Sequence, residues 1–119
     1  MSQSGTATSE IDALATQLGR VAERLRTLSL ARLQAPVPGW PSRAVAARNL
    51  AQHCADVTAA IDGRAARPVP ELPDLAVGDQ VSVCAGDLVR ALGARQIDGP
   101  ALAQVEMVRT EVEVLRRLL

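Results

Sequence analysis

Apolar residues recur at Ile11, Leu14, Leu18, Val21, Leu25 and Leu28, in alternating steps of three and four. This heptad seam marks one face of an amphipathic helix, and Arg20, Glu23, Arg24 and Arg26 fall on the faces opposite. Ser9 can cap that helix, with Asp12 as a weak capping-box partner. The pattern therefore predicts a helix over 9–28 behind a disordered tail over 1–8. Ser29 can start a short extra turn carrying Leu30 and Leu33 before the prolines of Pro36-Val37-Pro38-Gly39-Trp40-Pro41-Ser42 end it. Ser42 then caps a second helix whose stripe is Val45, Ala47, Leu50, Cys54, Val57 and Ile61, with Gly63 where a helix C-terminus favours glycine.

Three prolines between Pro68 and Pro73 exclude regular helix from 64–73 and favour an extended path. Ten extended residues reach about 33 Å, close to the roughly 30 Å of the preceding helix. The connection can thus cross the whole molecule and start the third helix at the same end as the second; a surface loop that returns on itself is the alternative. The third helix, over 74–92, has Asp74 as its cap candidate and Val77, Val81, Cys84, Leu88 and Leu92 as its stripe. Gly78 and Gly86 weaken it by about 1 kcal/mol each relative to alanine and suit a close helix approach; Gly93 ends it. Asp98-Gly99-Pro100 opens the last helix, with proline where no amide bond is lost. Its seam is Leu102, Val105, Val108, Val112, Leu115 and Leu119, and Met107, Val114 and Leu118 form a second stripe beside it. So wide an apolar face fits either a deeply buried helix or a homodimer contact. The pattern as a whole reads as an all-α, four-helix bundle in a single domain over 9–119.

Composition narrows the classes open to such a bundle. The chain has 119 residues, enough for one core, but no Phe and no Tyr, so Leu, Val and Ala must fill it with Trp40 as the one large ring. All thirteen basic residues are Arg, and they balance thirteen acidic ones. Without a basic excess or aromatic residues for stacking, nucleic acid is not an expected partner. No apolar run approaches the ~18–20 residues of a membrane span, and 1–8 lacks the charged and apolar regions of a signal peptide. The expectation is a cytoplasmic protein with no membrane partner, whose two cysteines stay free thiols.

Few residues offer chemistry. Cys54 and Cys84 lack a CxxC spacing, and His53 is the sole histidine, so no zinc motif is present. His53 and Cys54 are adjacent on a helix and point about 100° apart, which argues against thiolate activation and for packing of both cysteines. Glu111 and Glu113, on different faces, read as solvated surface. Arg116 and Arg117 suit the negative end of the last helix dipole. No phosphate loop, hydrolase elbow or dinucleotide fingerprint occurs, and no cofactor is implied.

The first helix, Leu28-Ser29-Leu30-Ala31-Arg32-Leu33, then Pro38-Gly39-Trp40-Pro41-Ser42 and an alanine-rich helix resemble the DinB-like superfamily. In particular, about 11–62 resembles the N-terminal domain of mycothiol-dependent maleylpyruvate isomerases. The resemblance implies a four-helix bundle in up-down-down-up order, often dimeric, whose active members hold a divalent metal on three histidines and use a low-molecular-weight thiol. The family's first metal histidine stands about eight residues after the tryptophan. That position is Arg48 here, and the other two ligands have no counterpart. The resemblance thus implies a metal-free member without catalytic residues, acting as a dimeric binding or interaction module. Trp40 plugs one end of the bundle, Trp40, Arg48 and His53 are the candidate ligand-binding residues, and Met107, Val114 and Leu118 are the candidate dimer interface. The enzymatic alternative is a thiol-dependent transferase or isomerase working without metal, with Arg48 binding an anionic substrate.

Overall fold

The computed structural model describes the backbone of residues 2–119 and the side chains from Thr8 onward. It is all-helical: α1 (Ser2–Thr27), α2 (Leu30–Gln34), α3 (Arg43–Ile61), a 3₁₀ turn (Asp74–Ala76), α4 (Val77–Ala94) and α5 (Gly99–Leu118). α1 begins seven residues ahead of the expected Ser9 cap, and Ser9 is an exposed position inside it. No proline interrupts 2–9, so helical bonding propagates back from the seam at little cost once the helix is nucleated. The seam itself is buried as its spacing predicts, with Leu14, Leu18, Val21, Leu25 and Leu28 in the core and Ile11 at its margin.

Local chemistry sets the next breaks. The Ser29 side chain accepts from the Arg32 amide to start α2, which buries Leu33. Val37 and Trp40 exchange two backbone hydrogen bonds of 3.0 and 3.3 Å around Pro38 and Gly39. Gly39 has φ +86°, the third position of a type II turn, where a side chain is disfavoured. Ser42 then accepts from the Val45 amide and caps α3. At the far end Arg64 and Gly63 donate back to the carbonyls of Ala59 and Ala60, with Gly63 at φ +69°, a Schellman ending.

The proline segment is extended and runs back along α3. Gln52 donates to the Arg67 carbonyl (3.0 Å) and accepts from the Val69 amide (2.8 Å), and Arg48, one turn nearer the start of α3, donates to the Leu72 carbonyl (3.1 Å). Prolines cannot donate, but their carbonyls still accept, and Gln80 of α4 donates to that of Pro70 (2.7 Å). Asp74 is not the cap expected of it. Its carboxylate accepts instead from Arg48 (3.0 Å) and Gln34 (3.3 Å), and α4 starts through the 3₁₀ turn without a side-chain cap. At the other end of α4, Arg95 pairs with Asp62 at the end of α3 (3.4 Å). α4 runs two residues past the expected stop at 92, and Gly93 lies within it.

α4 packs most closely on α3 and α1, whereas α5 lies against α3 and, more lightly, α1. Of the three glycines of α4, only Gly78 sits at a close approach: a Cβ there would meet the Ala22 carbonyl at 3.0 Å, while one at Gly86 or Gly93 would meet nothing within 4 Å. Asp98 caps α5 by accepting from the Ala101 amide (2.8 Å). The C-terminal carbonyls of α5 are bonded from other helices: Arg24 donates to Leu119 (3.0 and 3.2 Å) and Arg43 to Leu118 (2.7 Å). This is the role expected of Arg116 and Arg117, but Arg116 turns back toward Glu113 (3.6 Å). Among the described residues no helix is long and apolar enough to cross a membrane.

Candidate functional site

Arg48 and His53 are five residues apart on α3, which turns them about 140° from each other. Arg48 faces the proline segment. Its guanidinium is largely buried between the Leu72 carbonyl and Asp74, and Asp74 is held below the usual carboxylate range chiefly by the Arg48 hydrogen bond and then by Gln34. An anionic substrate at Arg48 would have to displace this internal carboxylate. His53 faces α5, where its Nδ1 lies 3.3 Å from Glu111 Oε2. Trp40 is tied into its turn by backbone bonds, and its ring is only partly buried against the core, so it does not plug the bundle as a fully enclosed side chain. The three residues thus point to different places, and none of them lines a cleft described below.

Glu111 is the residue that sequence reasoning misplaced. It is not solvated surface: its side chain keeps only 25% of its exposure, in the seam between α5 and α3. Oε2 faces His53 and accepts from Asn49 (3.4 Å), while Oε1 is buried with no hydrogen-bond partner. Burial pushes the Glu111 carboxyl up, and the neighbouring His53 opposes that shift. A signal existed in the sequence. Glu111 falls within the stripe Met107, Val114 and Leu118, four residues after the first and three before the second, as a lone carboxylate in an apolar line.

The cysteines behave as packing groups. Cys54 is fully buried and Cys84 packs at the margin of the core, and both are free. Burial, with smaller contributions from Cys84 and Glu111, pushes the Cys54 thiol up to about 12; burial also raises Cys84. A thiol so raised is a poor nucleophile at neutral pH. Among the described residues no three His, Cys, Asp or Glu side chains converge as a metal-ligand set.

The second stripe of the last helix divides. Leu118 packs against the core, but Met107 is 61% exposed and Val114 47% exposed. α5 is therefore not deeply buried, because among the described residues no helix covers its outer side. An open depression of about 360 Å³ lies over Glu106, Met107, Thr110 and Glu111. A polar cleft of about 370 Å³ at the ends of α3 and α4 holds Arg64, Arg90 and Arg95, yet each is paired within the protein, to Asp62 (3.3 Å), Asp87 (3.0 Å) and Asp62 (3.4 Å). It offers an anion no uncommitted cation. A third cleft, between α1 and α5, is apolar and holds only about 50 Å³. Among the described residues, then, the outer side of α5 offers a partly apolar helix face. No family model matches the sequence, and comparison with curated proteins and with solved structures gives no significant match.

Proposed function

We propose that this chain is a DinB-like four-helix bundle, in up-down-down-up order, that works without metal as a non-catalytic, homodimeric interaction module. The order is supported by the ends that meet: Arg95 with Asp62 where α4 and α3 finish, Arg26 with Asp79 where α1 finishes and α4 starts, and Arg24 with Leu119 where α1 and α5 finish. α3 and α4 then share one direction, α1 and α5 the other, and the proline segment is the crossover. The DinB-like reading rests on the Pro-Gly-Trp turn with its Ser42-capped helix. Its metal-free form rests on Arg48 at the first ligand position and on the single histidine of the chain. Free cysteines suit a cytoplasmic setting.

The observation that carries the interaction role is the exposed pair Met107 and Val114, seven residues apart on the outer side of α5. Two large apolar side chains exposed in register on one helix face support a contact surface for a partner. Size-exclusion chromatography with light scattering tests the assembly: a dimer mass near 25 kDa is expected from the 12.5 kDa chain. A clean monomer at high concentration would sink the proposal.

A further inference from the structure

The exposed line along α5 is longer than its two large residues. Ala103, Met107, Thr110, Val114 and Arg117 are all exposed and recur in steps of four and three, the spacing of a helix seam. Charge is unevenly placed beside that line. Glu106 lies near its N-terminal end and approaches only Arg109, at 3.6 Å. Arg117, near the C-terminal end, makes no ion pair among the described residues.

We propose that a second copy of this chain covers this line by antiparallel pairing of α5 with α5, about a two-fold axis passing beside Thr110 and Glu111. The proposal deepens the homodimer reading by fixing its interface and register. Antiparallel pairing sets Met107 against the partner's Val114, and by symmetry Val114 against the partner's Met107. It brings Arg117 to within about two residues, or ~3 Å along the axis, of the partner's Glu106 on the same flank, and does so twice. Parallel pairing instead levels Arg117 with the partner's Arg117 and Glu106 with the partner's Glu106, which like charge disfavours. Glu111 is turned toward α3, where His53 and Asn49 hold it on the flank away from these pairs. A helix of this length runs about 30 Å, so a contact strip along it covers on the order of 1,000 Å² over both copies, the lower end of specific interfaces. Small area and exposed ion pairs make a salt-sensitive dimer in rapid exchange with monomer.

At an interaxial distance of about 9 Å the two Thr110 α-carbons come roughly 6 Å apart, within reach of a disulfide. Thr110→Cys is therefore expected to give a covalent dimer under mild oxidation, while Val83→Cys, on the exposed side of α4, stays monomeric. Arg117→Glu is expected to raise the dimer dissociation constant at least tenfold, and Arg117→Glu with Glu106→Arg to return it to within about threefold of wild type. Light scattering on the wild type separates the two levels. A monomer at every concentration overturns both the dimer and its register. A wild-type dimer with neither cross-linking at Thr110→Cys nor recovery in the double reversal overturns the α5 pairing alone. All four positions are exposed, and matched circular dichroism melts exclude misfolding as the cause.

Discussion

Replacing Gly78 and Gly86 separately with alanine tests the packing between α1 and α4 directly. Alanine in a helix interior is worth about 0.8–1 kcal/mol over glycine; Gly86 is in the middle of α4, whereas Gly78 is its second residue, where the gain is smaller. At Gly86 an added Cβ meets nothing within 4 Å, so the full gain is expected. At Gly78 the same atom would lie 2.9 Å from Arg26 Cγ, 3.0 Å from the Ala22 carbonyl oxygen and 3.1 Å from the Arg26 amide nitrogen. Two of the three neighbours are backbone atoms of α1 and cannot rotate aside. Optimal carbon contacts are near 3.5–4.0 Å, so the helices must part by several tenths of an ångström, and overpacking of this kind costs about 1–3 kcal/mol. The helix gain offsets part of that and leaves Gly78→Ala destabilised by about 1 kcal/mol. For a chain of this size 1 kcal/mol is worth roughly 4 °C. Thermal melts should therefore place the two variants on opposite sides of wild type, about 8 °C apart. If Gly78→Ala raises the melting temperature as much as Gly86→Ala, the close approach of α1 and α4 is wrong.

Arg48→Ala should cost about 1–2 kcal/mol in urea unfolding, since it removes two charge-assisted hydrogen bonds, one to the Leu72 carbonyl of the proline segment and one to Asp74 of the 3₁₀ turn. Asp74 has a depressed folded pKa, so its contribution is present above its unfolded value near 3.9 and is lost as pH falls through the folded one. The gap between wild type and Arg48→Ala should narrow below about pH 4; a gap independent of pH contradicts the pairing. For the thiols, a Cys54 value of about 12 leaves on the order of one thiolate in ten thousand at pH 8. A disulfide reagent should find Cys54 silent and Cys84 slow in the native protein, and both fast in denaturant; two fast native thiols would contradict the buried placement. Glu111 is shifted the other way. A carboxyl whose folded pKa is raised contributes stability below its unfolded value near 4.5 and loses it as pH rises through the folded value. Glu111→Gln should therefore gain in melting temperature relative to wild type between pH 4 and pH 7, and a constant difference across that range rejects the buried carboxylate.

What was legible in the sequence was chemistry that acts within a few residues. Ser29, Ser42 and Asp98 cap the helices they precede, and Gly39 and Gly63 take the positive φ that their turns require. The heptad seam of the first helix is the core of the fold. Asp74 failed as a cap because stronger donors reach it from far along the chain, Arg48 from 26 residues away and Gln34 from 40. The same distance hid the capping of α5 by Arg24 and Arg43, whose carbonyl partners lie 95 and 75 residues on. Glu111 was misread by comparing it with Glu113 on its own helix. Its environment is set by His53, 58 residues earlier. Trp40 packs against the core but is only partly buried, so the enclosed plug expected of it is not formed.

These distant contacts divide the molecule into a tight part and a looser one. Between α1, α3 and α4 the packing reaches the backbone at Gly78, small residues such as Ala47, Ala51 and Ala85 fill the core, and the proline segment is held by four side-chain bonds to its backbone. α5 buries a valine and leucine seam, but it is otherwise fixed by arginines at its C-terminus and by the His53 pair at its middle. Of the five buried polar atoms without a hydrogen-bond partner among the described residues, two are on α5: Arg109 Nε, which lies 3.6 Å from Glu106, and Glu111 Oε1; each such group costs about 1–3 kcal/mol. The helix with the weakest hold on the core is thus the one that shows Met107 and Val114 to solvent. Covering that face with a second copy removes apolar surface from water and adds packing where the single chain has least. On the proposed α5 pairing, assembly and the docking of α5 form one equilibrium, so stability should rise with protein concentration by mass action.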